Sequence, residues 1–129
     1  MDKLRSDIER RRHKRVKVQF SALFKIQTPQ GVRTPIKENE IITQVVDLSE
    51  SGMAILTDYD ISPQSVFSSR FTLVNSDADY SDRYKLIEAE GEVCYNVACK
   101  DDTYRLGVCF TSISDVSRTA IADFANKEI

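Results

Sequence analysis

The feature that most constrains this chain is a run of strict alternation near its start. From Val16 to Ile26, apolar Val16, Val18, Phe20, Ala22, Phe24 and Ile26 are interleaved with Lys17, Gln19, Ser21 and Lys25. A period of two puts all six on one side of a pleated strand and the polar residues on the other, whereas a helix would scatter them around its axis. A strand with one greasy face must bury it against others of its kind. The rest of the chain supplies them. Ile41 to Leu48 is β-branched and apolar, Met53 to Thr57 resumes after a polar turn, and Val66 to Val74 follows a connection broken by Pro63. Ile87, Ala89, Gly91, Val93 and Tyr95 alternate with Glu88, Glu90, Glu92 and Cys94, and Tyr104 to Thr111 returns after the turn Lys100-Asp101-Asp102. Periodicity then changes to a helical spacing through Ile113, Val116, Ala120, Ile121 and Phe124, with Ser114 or Asp115 as N-cap. Six short strands and a terminal helix predict an all-β protein, a six-stranded antiparallel β-barrel with a C-terminal α-helix.

Residues 1–15 read as a flexible basic N-terminal arm and 16–129 as the barrel with its helix, a single domain in a chain of 129 residues. Leu4 and Ile8 are the only apolar pair for a short helix over residues 2–12, which would be marginal by itself. The net charge of −2 conceals an asymmetry: residues 1–17 carry net +5 and the remainder net −7. A cationic arm on an acidic body calls for an anionic partner. No stretch is apolar enough to span a bilayer, and the charged N-terminus has no secretory core. Three cysteines, Cys94, Cys99 and Cys109, form no CxxC pair and fit reduced thiols in a cytoplasmic protein better than a disulfide framework.

Catalytic and metal chemistry find little support. The single histidine, His13, lies within the basic run, and the cysteines lack zinc spacing. Asp77, Asp79, Ser81 and Glu88 fit a calcium-loop count, but Asp82 stands where that loop needs glycine. No glycine-rich phosphate loop is present. The expectation is a non-enzyme with no catalytic residues, no metal and no cofactor.

Two spacings carry more information. Arg11-x-x-x-Arg15 directly precedes the first strand, and Asp47-x-Ser49-x-x-Gly52 occupies the turn between the second and third. The first pattern is common in arginine-rich segments; the second is expected by chance only about 0.04 times in a chain of this composition. Asp, Ser and Gly in that order also suit a tight hairpin, since the side chains bond their own backbone and glycine tolerates positive φ.

Together these spacings resemble the signature pair of PilZ domains, bacterial receptors for cyclic di-GMP, and the likeness extends from Glu9 to about Phe124 through Gly91-Glu92-Val93 and Arg105-Leu106-Gly107-Val108-Cys109-Phe110. The resemblance implies a ligand site of Arg10, Arg11, Arg15, Asp47, Ser49 and Gly52. Arginine forks match both phosphate oxygens and the O6/N7 edge of guanine. Asp47 would accept from guanine N1–H and N2–H, Ser49 would donate to a phosphate or hold the turn, and Gly52 would let backbone come close. Arg10 beside Arg11 resembles members that bind two stacked ligand molecules. The implied function is a cyclic di-GMP receptor whose changed surface is read by a downstream protein partner in motility, adhesion or exopolysaccharide pathways. A degenerate PilZ-like adaptor that binds no nucleotide is the alternative. A nucleic-acid partner is disfavoured by the acidic body and by the lack of a stacking platform beside the arm.

Overall fold

The computed structural model describes residues 15–27, 40–74 and 83–127. Arg10 and Arg11, the short helix over 2–12 and the Asp77–Ser81 loop lie outside them, and Arg15 is the last residue of the arm to fall within. Six strands form a closed barrel: β1 (Val16–Ile26), β2 (Glu40–Ser49), β3 (Gly52–Thr57), β4 (Val66–Val74), β5 (Tyr84–Ala98) and β6 (Tyr104–Ile113). The order around it is β1-β2-β3-β6-β5-β4, and every neighbouring pair is antiparallel. The seam that closes it is short, Leu23 to Ile26 of β1 against Phe67 to Arg70 of β4. One helix, α1 (Asp115–Lys127), follows β6.

The alternation read from β1 carries the core. Ala22, Phe24 and Ile26 are buried, while Lys17, Gln19, Ser21 and Lys25 are exposed. Phe24 stacks on Phe67 of β4 with centroids 4.3 Å apart, joining opposite ends of the sheet where it closes. Val45, Leu48, Ile55, Ile87, Leu106 and Val93 complete the interior from the other strands. Each such aliphatic side chain contributes about 1.5–3 kcal/mol through burial.

Antiparallel pairing puts the starts of β1, β3 and β5 and the ends of β2, β4 and β6 at one end of the barrel. The helix leaves β6 there, and contacts β2, β4 and β5 across the opening. Ile121 and Ala125 enter the core cluster, so α1 closes that end as a lid. Of the two candidate caps, Ser114 performs the role: its Oγ accepts from the Ser117 amide at 3.1 Å.

Three departures from simple alternation matter. Between Lys17 and Phe20 the β1–β2 register shifts, leaving Val18 and Phe20 only partly buried. Val46 is an extra residue of β2, between the pairs Val45↔Ile55 and Asp47↔Ala54. Cys94 is likewise an extra residue of β5, between Val93↔Val108 and Tyr95↔Gly107. Each is a β-bulge, which re-aims the side chains that follow it. The third corrects the sequence reading: Tyr95, expected on the inward face with Val93, is 44% exposed.

The cysteine expectation is also corrected. Cys94 and Cys109 form a disulfide across β5 and β6 with a Cα–Cα distance of 6.3 Å, and Cys99 is an exposed free thiol. Both bonded cysteines are on the exposed side of their strands. The turn Lys100-Asp101-Asp102 folds one strand back on the other and brings them side by side.

Candidate functional site

Asp47 is in the last part of β2, not in the turn that follows it. Its strand partners are Lys17 on β1 and Ala54 on β3, so a register shift flanks it on each side. Leu48, one residue on, is fully buried. Period two therefore sends the Asp47 carboxylate to the outer surface, where it is half-buried. Val16 pairs with Leu48 and Lys17 with Asp47. Arg15, exposed and one residue before Val16, thus enters the barrel beside the strand that carries Asp47. Of the first motif, Arg15 is thus set next to the strand of the second, at the end of the barrel that α1 covers.

The hairpin beyond Asp47 is tighter than its sequence span suggested. Ser49 pairs with Gly52, so the loop proper is Glu50 and Ser51. Ser49 is 4% exposed. Its Oγ accepts from the Ser51 amide at 3.3 Å, is 3.4 Å from the Gly52 carbonyl as donor, and is 3.1 Å from Ser51 Oγ. This hydroxyl holds the turn, one of the two roles considered for it. The Phe110 amide donates to the Ser51 carbonyl at 2.9 Å, fastening the turn to β6.

Gly52 has a structural reason to be glycine. A Cβ there would run into the Val108 carbonyl oxygen and lie 3.2 Å from Cys109 Cα, both backbone atoms of β6. The residue permits β3 and β6 to approach closely on the outer surface beside Asp47.

Across that surface, the register aligns Lys17, Asp47, Ala54, Gly107 and Tyr95 in one row over five strands. The neighbouring row runs Gly52, Cys109 and Glu92. The centre of the face is floored by small residues and rimmed by Asp47, Lys17 and Tyr95. The Tyr95 ring lies directly on Gly107, where a Cβ would collide with its Cδ1, Cε1 and Cζ. Arg105, two residues before Gly107 on the same side of β6, is half-buried at the border. Such a floor suits a planar, anionic ligand: small residues admit a flat ring, a carboxylate accepts ring N–H groups, and flanking cations meet phosphate.

Sequence reasoning missed the Cys94–Cys109 bridge and the Tyr95–Gly107 contact. A signal for the bridge was present, since the two cysteines lie on the two strands that flank one turn, Lys100-Asp101-Asp102. No group of three or more potential metal-binding side chains occurs among the described residues. None of their helices is long and apolar enough to cross a membrane.

The chain belongs to the PilZ domain family, whose model matches residues 9–127. PilZ domains are ligand-binding and regulatory modules, and no enzyme family is indicated. Among solved structures, it is similar to a Bacillus subtilis inhibitor of motility, MotI/DgrA, with 14% identity and a TM-score of 0.70. That likeness covers 91% of this chain but 50% of the other, so this chain spans about half the length of that protein. It is also similar to the PilZ domain of YcgR from Escherichia coli, solved with c-di-GMP, at 14% identity and a TM-score of 0.56, covering 92% of this chain and 91% of that one. No curated protein sequence matches the chain.

Proposed function

We propose that this PilZ domain binds cyclic di-GMP through Arg10, Arg11, Arg15, Asp47, Ser49 and Gly52, and that the complex presents a changed surface to a downstream protein. The observation that carries the reading is the ladder Val16↔Leu48 and Lys17↔Asp47, which sets Arg15, the residue before Val16, beside the strand that carries Asp47. The roles differ among the six residues. Arg10, Arg11 and Arg15 supply cationic forks for phosphate and guanine, and Asp47 accepts from a guanine edge. Ser49 and Gly52 act on the ligand through the backbone they shape. The YcgR domain, solved with c-di-GMP, supports the choice of ligand by similarity of fold.

In this reading residues 1–15 are the arm and 16–129 the receptor body. Ordering Arg10 to Arg15 costs about 6–12 kcal/mol if those residues are mobile before binding. Hydrogen bonds to charged groups return about 1.5–3 kcal/mol each, so several must form together. Each arginine therefore matters. Titrating cyclic di-GMP into the protein in a calorimeter tests this: saturable binding is expected, weakened about a hundredfold or more by Arg15→Ala. The molar ratio distinguishes one ligand from a stacked pair. Folded protein that releases no heat and gains no thermal stability would instead favour the adaptor that works through protein contacts only.

A further inference from the structure

We propose that the Cys94–Cys109 disulfide is a redox gate on the Asp47–Gly107 face, closed when oxidised and open when reduced. The proposal rests on that face being the cyclic di-GMP site. Cys109 is the cross-strand partner of Gly52, and Glu92 pairs with it on the other side, so one sulfur is at the motif itself. Cys94, the other end of the bridge, is the extra residue of the β5 bulge and immediately precedes Tyr95.

The backbone around the bulge is fixed on both sides. Val93 donates its amide to the Ser65 carbonyl at 3.0 Å, and its own carbonyl accepts from the Gln64 amide at 2.7 Å. Asn96 donates through Nδ2 to Asp60 Oδ1 at 2.8 Å and to the Ile61 carbonyl at 2.9 Å. Between these anchors stand Cys94 and Tyr95, and the disulfide ties the first of them to β6. Tyr95 is thereby pinned with its ring on Gly107, over the small-residue floor. Breaking the bridge gives the bulge freedom to rearrange and the ring a path off the floor, while the anchors keep the rest of β5 in register.

Both cysteines are exposed, so thiol reagents can reach them. Glutathione disulfide is the matching oxidant by chemical class. One cysteine thiolate attacks it, forming a mixed disulfide and releasing one glutathione thiolate. The second cysteine then displaces the other glutathione, so two protein thiols lose two electrons and two glutathione thiols are formed. A dithiol reductant reverses both steps.

The test uses the full chain carrying Cys99→Ser, so that the free thiol does not exchange. It is prepared once with glutathione disulfide and once with dithiothreitol. Thiol counting and peptide mass analysis first establish whether Cys94 and Cys109 are joined, a readout independent of nucleotide. Calorimetry with cyclic di-GMP then compares the two forms. The oxidised form is expected to bind about tenfold more weakly, within the usual range of coupling between sites. Cys94→Ser is expected to bind like the reduced form under both conditions, and Tyr95→Ala to remove most of the difference while the bridge still forms. No bridge after oxidation, or equal affinities, or tighter binding by the oxidised form, overturns the gate. Absence of binding in both forms, with the bridge present, overturns the receptor reading and the gate with it.

Discussion

Two hairpins of the barrel, β2–β3 and β5–β6, are built on different principles. The β5–β6 loop, residues 99–103, has Asp101 and Asp102 at φ of 64° and 57°, a left-handed pair at the tip of the turn that the Thr103 amide closes on the Lys100 carbonyl. Its remaining support is local. Thr103 Oγ1 donates to the Lys100 carbonyl at 2.8 Å, and the Cys99 amide donates to the Thr103 carbonyl at 2.8 Å. The β2–β3 turn, Glu50 and Ser51, has neither residue at positive φ. Such a loop does not match strand twist by itself, so other contacts hold it: the Ser49 hydroxyl, the Phe110 amide and the close passage of Gly52 against β6. One turn is specified by its own two residues, and the other by the barrel around it. A loop held in that way is a rigid base for chemistry, and it is the one that carries the motif.

Breaking the comparison starts with Gly52. Gly52→Ala places a methyl against the β6 backbone and is expected to destabilise the fold by about 3 kcal/mol or more, measured by denaturant unfolding. A change below 1 kcal/mol would show that β3 and β6 separate easily and that the flat face is not fixed. Next comes Ser49→Ala, which removes the hydroxyl that closes the turn; a loss of about 1 kcal/mol is expected. The smallest effects sharpen the contrast through opposite signs. Asp102→Gly relieves a left-handed residue and is expected to stabilise by about 0.5 kcal/mol, whereas Ser51→Gly, with no such conformation to relieve, costs about 0.5–1 kcal/mol. Equal signs in thermal melts of the two variants would mean that the turns are held alike.

Much of the architecture was legible because hydrophobic alternation is a local property. The strand from Val16 to Ile26, the polar breaks and the helix from Asp115 could each be read from a short window. The bulges at Val46 and Cys94 could not, because a bulge is defined by what stands on the neighbouring strand. That is why Tyr95 was assigned to the wrong face: a run of perfect alternation gives no sign of the residue at which pairing slips. The disulfide was missed for a related reason. An odd cysteine count argued for thiols, while the approach of Cys94 to Cys109 depends on the bulge that makes Cys94 an extra residue of β5. Asp47 was found by its motif, yet its position inside β2 beside Lys17 depends on two register shifts. For Ser49 and Gly52 the residue types were recognisable, but their work in closing the turn and seating β3 on β6 emerged from the packing.

The most direct test of the central claim is to record amide chemical shifts of the reduced protein while cyclic di-GMP is added. The account predicts changes concentrated at Arg15 to Lys17, Asp47 to Ala54 and Arg105 to Phe110, with the Cys99 to Thr103 hairpin unmoved. Shifts centred on that second hairpin, or no shifts at saturating ligand, would contradict it.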